Sequence, residues 1–89
     1  MSLTRTDVQA AIKRKIVELA EQLGADASDL QADEIIPATG LIDSAGLLEL
    51  IAWFEGAYQF SIPPAELTID NLGTLAGMAD YLFRRKGLA

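Results

Sequence analysis

Ser44 stands where a side-chain hydroxyl can do chemistry. It follows the glycine-punctuated stretch Ala38-Thr39-Gly40-Leu41-Ile42-Asp43 and opens the strongest apolar helical pattern in the chain. A phosphate ester on a hydroxyl at that place lies against unpaired backbone N–H groups and the positive end of the helix dipole. That environment suits a covalently held phosphodiester. The same position also suits an ordinary helix cap, for which serine is a favoured residue. Asp43 competes for the capping role, since a carboxylate there also complements the dipole.

Other chemistries lack their residues. The 89 residues include no Cys and no His. That removes the thiol nucleophile, the disulfide framework, the commonest general base and the commonest metal ligand. A Ser–Lys hydrolase would have to recruit Lys13, Lys15 or Lys86 from the ends of the chain.

Helices must position the serine. Val8, Ile12, Ile16, Leu19 and Leu23 step by three and four residues, the spacing of an amphipathic helix. Thr6 and Gln9 have the spacing of a capping box before it, and Gly24 is a natural stop. Gly24 to Ile42 has no sustained period and reads as a long loop. Ser28-Asp29-Leu30-Gln31 has the pattern to cap a single turn there. Leu30, Ile35, Ile36, Leu41 and Ile42 are expected to tack the loop to the core. The second helix runs from about Asp43 or Ser44 to about Tyr58, with Leu47, Leu48, Leu50, Ile51, Phe54 and Tyr58 as its stripe. Ile62-Pro63-Pro64 breaks the helical pattern, and Pro64 suits the first position of a short helix through Leu67. Asn71 is expected to cap a last helix with Leu72, Leu75, Met78 and Leu82 inward. Arg84, Arg85 and Lys86 favour its final turn, and Gly87 ends it. No β alternation competes. The fold class is therefore all-α: a four-helix bundle of three main helices plus one short one, in a single domain over residues 1–89.

Charge is unevenly spread. The net charge is −6, yet no Lys or Arg occurs from Ile16 to Phe83, a stretch holding every acid except Asp7. An acidic face of this kind serves solubility or offers itself to basic partners. It argues against nucleic acid, including a helix-turn-helix role, and against anionic membrane surfaces. No apolar run approaches the roughly 20 residues of a membrane span, and the N-terminus lacks a signal-peptide pattern. A cytoplasmic location is the expectation.

Gly40-Leu41-Ile42-Asp43-Ser44, followed by Leu48-Glu49-Leu50-Ile51, resembles the attachment motif of acyl and peptidyl carrier proteins. Tyr58-Gln59-Phe60-Ser61-Ile62-Pro63 resembles the connector of that family. Leu67-Thr68 and Thr74 to Leu82 resemble its final helix, so the likeness covers about Ile36 to Leu82 and accounts for the long first loop. It implies that Ser44 carries 4′-phosphopantetheine, installed from coenzyme A by a phosphopantetheinyl transferase that Asp43 helps to recruit. It implies a non-catalytic, monomeric carrier that holds acyl or aminoacyl groups as thioesters. A ligase or adenylation enzyme would load it, and downstream acyl-processing enzymes would unload it. Glu49 matches the family's recognition glutamate.

The chain also departs from the pattern. The residue after the serine is usually Leu or Met in the family and is Ala45 here, and Gly56 stands where many members carry an acid. Helical spacing puts Ala45, Glu49, Trp53 and Gly56 on one outer face, so Trp53 either supplies the apolar partner contact that Ala45 cannot or flanks the core stripe half-buried. The rival reading is an unmodified acidic interaction module of the same fold, with Ser44 only a cap.

Overall fold

The computed structural model of the protein describes residues 3–88. Three long helices carry the core: α1 (Arg5–Gln22), α3 (Ser44–Tyr58) and α5 (Leu75–Lys86). Two single-turn helices, α2 (Ile36–Thr39) and α4 (Ile69–Leu72), and a 3-10 turn at Pro64–Glu66 sit in the connections. No strand occurs among the described residues. The all-α architecture with a long first connection is the one that the sequence implies.

Each long helix forms for a legible reason. In α1, Val8, Ile12, Ile16 and Leu19 fall on one face and are buried, while Leu23 lies past the helix end and is 53% exposed. The cap is Thr4, not Thr6: its Oγ1 accepts the Asp7 N–H at 3.0 Å. Thr6 is already helical, so its backbone cannot take the extended shape that a cap needs. In α3, Leu50 and Phe54 are buried, and Leu47, Ile51 and Tyr58 pack half-buried beside them. Leu48, expected in this stripe, is 69% exposed. It sits about 100° around the helix from Leu47 and about 200° from Leu50, so one stripe cannot bury all three.

The C-terminal third differs in its caps. Thr68 caps α4 and Thr74 caps α5, each accepting a first-turn N–H. Asn71 is not a cap but lies within α4, where its side-chain amide donates to the Glu66 carbonyl at 3.0 Å. The break between α4 and α5 falls at Gly73, where a Cβ would stand 2.5 Å from the Ile69 carbonyl oxygen. Leu72, Leu75, Met78 and Leu82 all point inward as expected, joined by Ala79, Tyr81 and Phe83.

The long connection is tied down by both side chains and backbone. Leu30, Ile36 and Ile42 are buried, whereas Ile35 is 45% exposed. The turn near Ser28 is closed by Asp26, whose Oδ1 accepts the Ser28 N–H at 2.9 Å. Ser28 is therefore not the capping residue there. Ile36 N–H donates to Gly73 O at 2.7 Å and Ala76 N–H to Ala32 O at 3.0 Å. These bonds weld the loop to the α4–α5 junction.

Helix directions decide where charges gather. Arg5 Nε meets Asp80 Oδ1 at 2.8 Å, and its guanidinium lies 4.6 Å from the Phe83 ring centre. So α5 ends where α1 begins. The last turn of α1 borders the first turn of α3, with Leu19 and Leu23 facing Ala45 and Glu49 across a groove. Ser44 therefore lies at one end of α1, and Arg84–Lys86 at the other, about 27 Å along an 18-residue helix.

Candidate functional site

The structure separates the two cap candidates. Asp43 has an extended backbone, and its Oδ1 accepts the Gly46 N–H at 2.8 Å. Asp43 is the cap. Ser44 is the first helical residue, exposed, and its hydroxyl makes no hydrogen bond with the described residues. Gly46 lets the cap approach: a Cβ there would stand 3.3 Å from both Asp43 Oδ1 and Ile42 Cβ.

The chain is steered into this cap from upstream. Thr39 Oγ1 donates to Ile36 O at 2.7 Å and accepts the Leu41 N–H at 3.2 Å, closing the turn after α2. Ile42 is buried immediately before Asp43. The single turn of α2, the turn after it and a buried isoleucine thus aim the start of α3 at solvent. Pro37, Ile42, Asp43 and Leu47 line a shallow groove of about 270 Å³ beside Ser44.

This geometry fits a phosphodiester on the Ser44 oxygen. The hydroxyl is uncommitted and solvent-facing. The first-turn N–H groups and the dipole of a 15-residue helix lie next to it. A tethered group would leave the protein without displacing any packed atom.

Around the serine, Ala45, Leu48, Glu49 and Ala52 form the exposed face of α3, continued by Gly56. Trp53 leaves that face. It is half-buried, packs on the core, and meets the Tyr58 ring edge-on at 6.3 Å between centres. Eight residues turn the helix about 80° beyond two full turns, which carries Trp53 from the Ala45 line toward the core. Leu48 is the large apolar side chain that sequence patterning misplaced. The available signal was its spacing: four residues after Ser44, it shares the exposure of the serine.

Shifted acidities lie away from Ser44. Burial pushes the Tyr81 and Tyr58 phenols up, and for Tyr81 the hydrogen bond to Glu66 adds to the effect. The hydrogen bonds from Ser28 hold the exposed Asp26 carboxyl below its usual range.

The exposed serine at this capped helix start is open to covalent attachment. Residues 16–82 match the family model described as "Phosphopantetheine attachment site". The chain is also 33% identical over 64 residues to a D-alanyl carrier protein of Streptococcus sanguinis (strain SK36), covering 71% of this chain and 80% of the relative. No solved structure matches. The chain belongs to the phosphopantetheine-attachment family of carrier proteins, and its prosthetic group is covalently held 4′-phosphopantetheine. Carrier proteins of this family are generally non-catalytic, and work with modifying transferases and ligases. Among the described residues no helix is long and apolar enough to cross a membrane.

Proposed function

We propose that Ser44 is the attachment residue and that the protein shuttles aminoacyl or other small acyl groups between enzymes as thioesters. One observation carries the assignment. Asp43 takes the cap, so the Ser44 hydroxyl is left exposed and uncommitted at the start of α3. The attached group supplies a thiol on a long flexible arm. The chain's own residues hold Ser44 at a fixed, open helix end, and Asp43 presents a carboxylate beside it to the phosphopantetheinyl transferase. The protein supplies no catalytic residue of its own. The likeness to a D-alanyl carrier protein favours an aminoacyl cargo over a long fatty acyl chain. The partners that follow are the transferase, an adenylating ligase that loads the thiol, and downstream acyl-processing enzymes. Ala45 and Glu49 belong to the face that they approach, with the exposed part of Trp53 at its margin. The carrier works as a monomer in the cytoplasm.

The test is a mass measurement. Incubation with a phosphopantetheinyl transferase and coenzyme A should add one phosphopantetheine group, located on the Ser44 peptide. Ser44→Ala should abolish the gain while changing stability by less than about 0.5 kcal/mol, because Asp43 and not Ser44 caps the helix. Modification that persists in Ser44→Ala refutes the assignment. Protein isolated from its native host should carry an aminoacyl mass on the arm, and a long-chain acyl mass there would overturn the cargo reading.

A further inference from the structure

A second groove also borders Asp43, between the last turn of α1 and the first turn of α3. It measures about 190 Å³. Leu19 and Leu23 give it an apolar wall from α1, and Ala45 and Gly46 face them from α3 with almost no side chain. Asp43 and Glu49 stand at its edge, and no Lys or Arg lines it. Leu19 is 3% exposed and forms the floor, while Leu23 is 53% exposed and leaves much of its surface uncovered by the bundle.

We propose that this groove receives one bulky apolar side chain of the phosphopantetheinyl transferase, flanked on that enzyme by Lys or Arg. The carrier supplies the hole and the enzyme the knob. The inference rests on Ser44 being the attachment residue. Size supports it: a cavity of about 150 Å³ holds a benzene ring, so the groove has room for a single aromatic or branched side chain. Charge supports the flanking cation, since both ionisable groups at the edge are acids. Interfaces draw most of their energy from a few large side chains seated in pockets ringed by weaker contacts, and this groove has that layout. Position selects the partner. Ala45 directly follows Ser44, so whatever enters the groove lies within one residue of the hydroxyl being modified.

The experiment compares transferase kinetics on wild-type protein, Ala45→Leu, Leu23→Gln and Ala57→Leu, using the transferase of the native host with coenzyme A. Ala45→Leu fills the groove and should raise KM about tenfold with kcat within twofold. Leu is nearly as good a helix former as Ala, so circular dichroism and the unfolding midpoint should hold. Leu23→Gln makes the wall polar at a half-exposed site and should raise KM several-fold. Ala57→Leu adds the same bulk at an exposed position in the last turn of α3, about 18 Å along the helix from Ala45, and should change nothing. An unchanged or lowered KM for Ala45→Leu overturns the inference, because the enzyme would then offer a pocket. Wild-type protein that gains no phosphopantetheine, or gains it away from Ser44, takes down the attachment assignment and this inference with it.

Discussion

The two ends of the bundle are built on different principles. At the Ser44 end, order comes from backbone and small residues: an aspartate cap, Gly46, a turn closed by Thr39, and a buried Ile42. Large side chains there, Leu48 and Leu23, are left in solvent. At the far end, order comes from side chains holding one another. Tyr81 donates to Glu66 at 2.6 Å and accepts from Arg85 at 2.7 Å. Arg85 lies 5.5 Å from the Phe60 ring centre, and Phe60 meets Phe54 edge-on at 5.2 Å. Lys86 reaches the Gln59 carbonyl at 3.4 Å. The difference teaches a division of labour. One end is locked by side chains that satisfy each other, while the other leaves Leu48, Leu23 and Glu49 facing solvent.

Trp53 stands between these regions, and its truncation gives the largest energetic effect expected in testing the contrast. Losing a fully buried Trp costs about 3–5 kcal/mol, so the half-buried ring of Trp53→Ala should cost about 2 kcal/mol. If its exposed part serves partners, loading by the cognate ligase should weaken about tenfold as well. Lost stability with unchanged loading would assign Trp53 wholly to the packing side. Urea unfolding and loading kinetics on one preparation separate the two.

A smaller effect probes the locked end. Tyr81→Phe removes the hydroxyl shared by Glu66 and Arg85 and should cost about 1 kcal/mol. It should leave Ser44 modification untouched. The phenol acidity gives a pH signature. The folded state holds the Tyr81 and Tyr58 protons more tightly than the unfolded chain does. Their contribution is therefore complete below the unfolded value of about 10 and is lost as pH rises through the higher folded values. Stability should fall above about pH 10, and less steeply in Tyr81→Phe. Equal alkaline slopes in both proteins would show that the network does not hold that proton.

The smallest effect belongs to the open end. Raising the salt to about 0.5 M shrinks the Debye length to roughly 4 Å, which should slow transferase association several-fold. Glu49→Lys should reproduce part of the loss at low salt. An on-rate indifferent to both would mean that the acidic residues near Ser44 serve solubility alone.

Periodicity and punctuation in the chain were enough to define three long helices, the prolines breaking the pattern after Ile62, and Ser44 at a helix start. These are local properties: apolar spacing, cap chemistry and ring constraints act within a few residues. The same reasoning placed Asn71 and Thr6 as caps, where Thr74 and Thr4 do that work. A cap depends on where the backbone turns, and that turn falls at Gly73, where any side chain would meet the Ile69 carbonyl, a close approach that no spacing rule contains. Which of Asp43 and Ser44 would cap was open for the same reason. Helical spacing already set Leu48 off the buried stripe and turned Trp53 about 80° from the Ala45 line, but only the tertiary structure decided that α1 ends against α3. It also placed Arg5 beside Arg84 at one end of the bundle, because α5 runs back antiparallel to α1 and brings Asp80 to Arg5, while Lys13, Arg14 and Lys15 stay midway along α1. Those outcomes depend on which helix lies beside which, and the physical agent is the shared apolar core. It rotates each helix until the largest buried set, Phe54, Ile12, Ile16 and Leu82 among them, is covered, and leaves the remainder to face water or a partner.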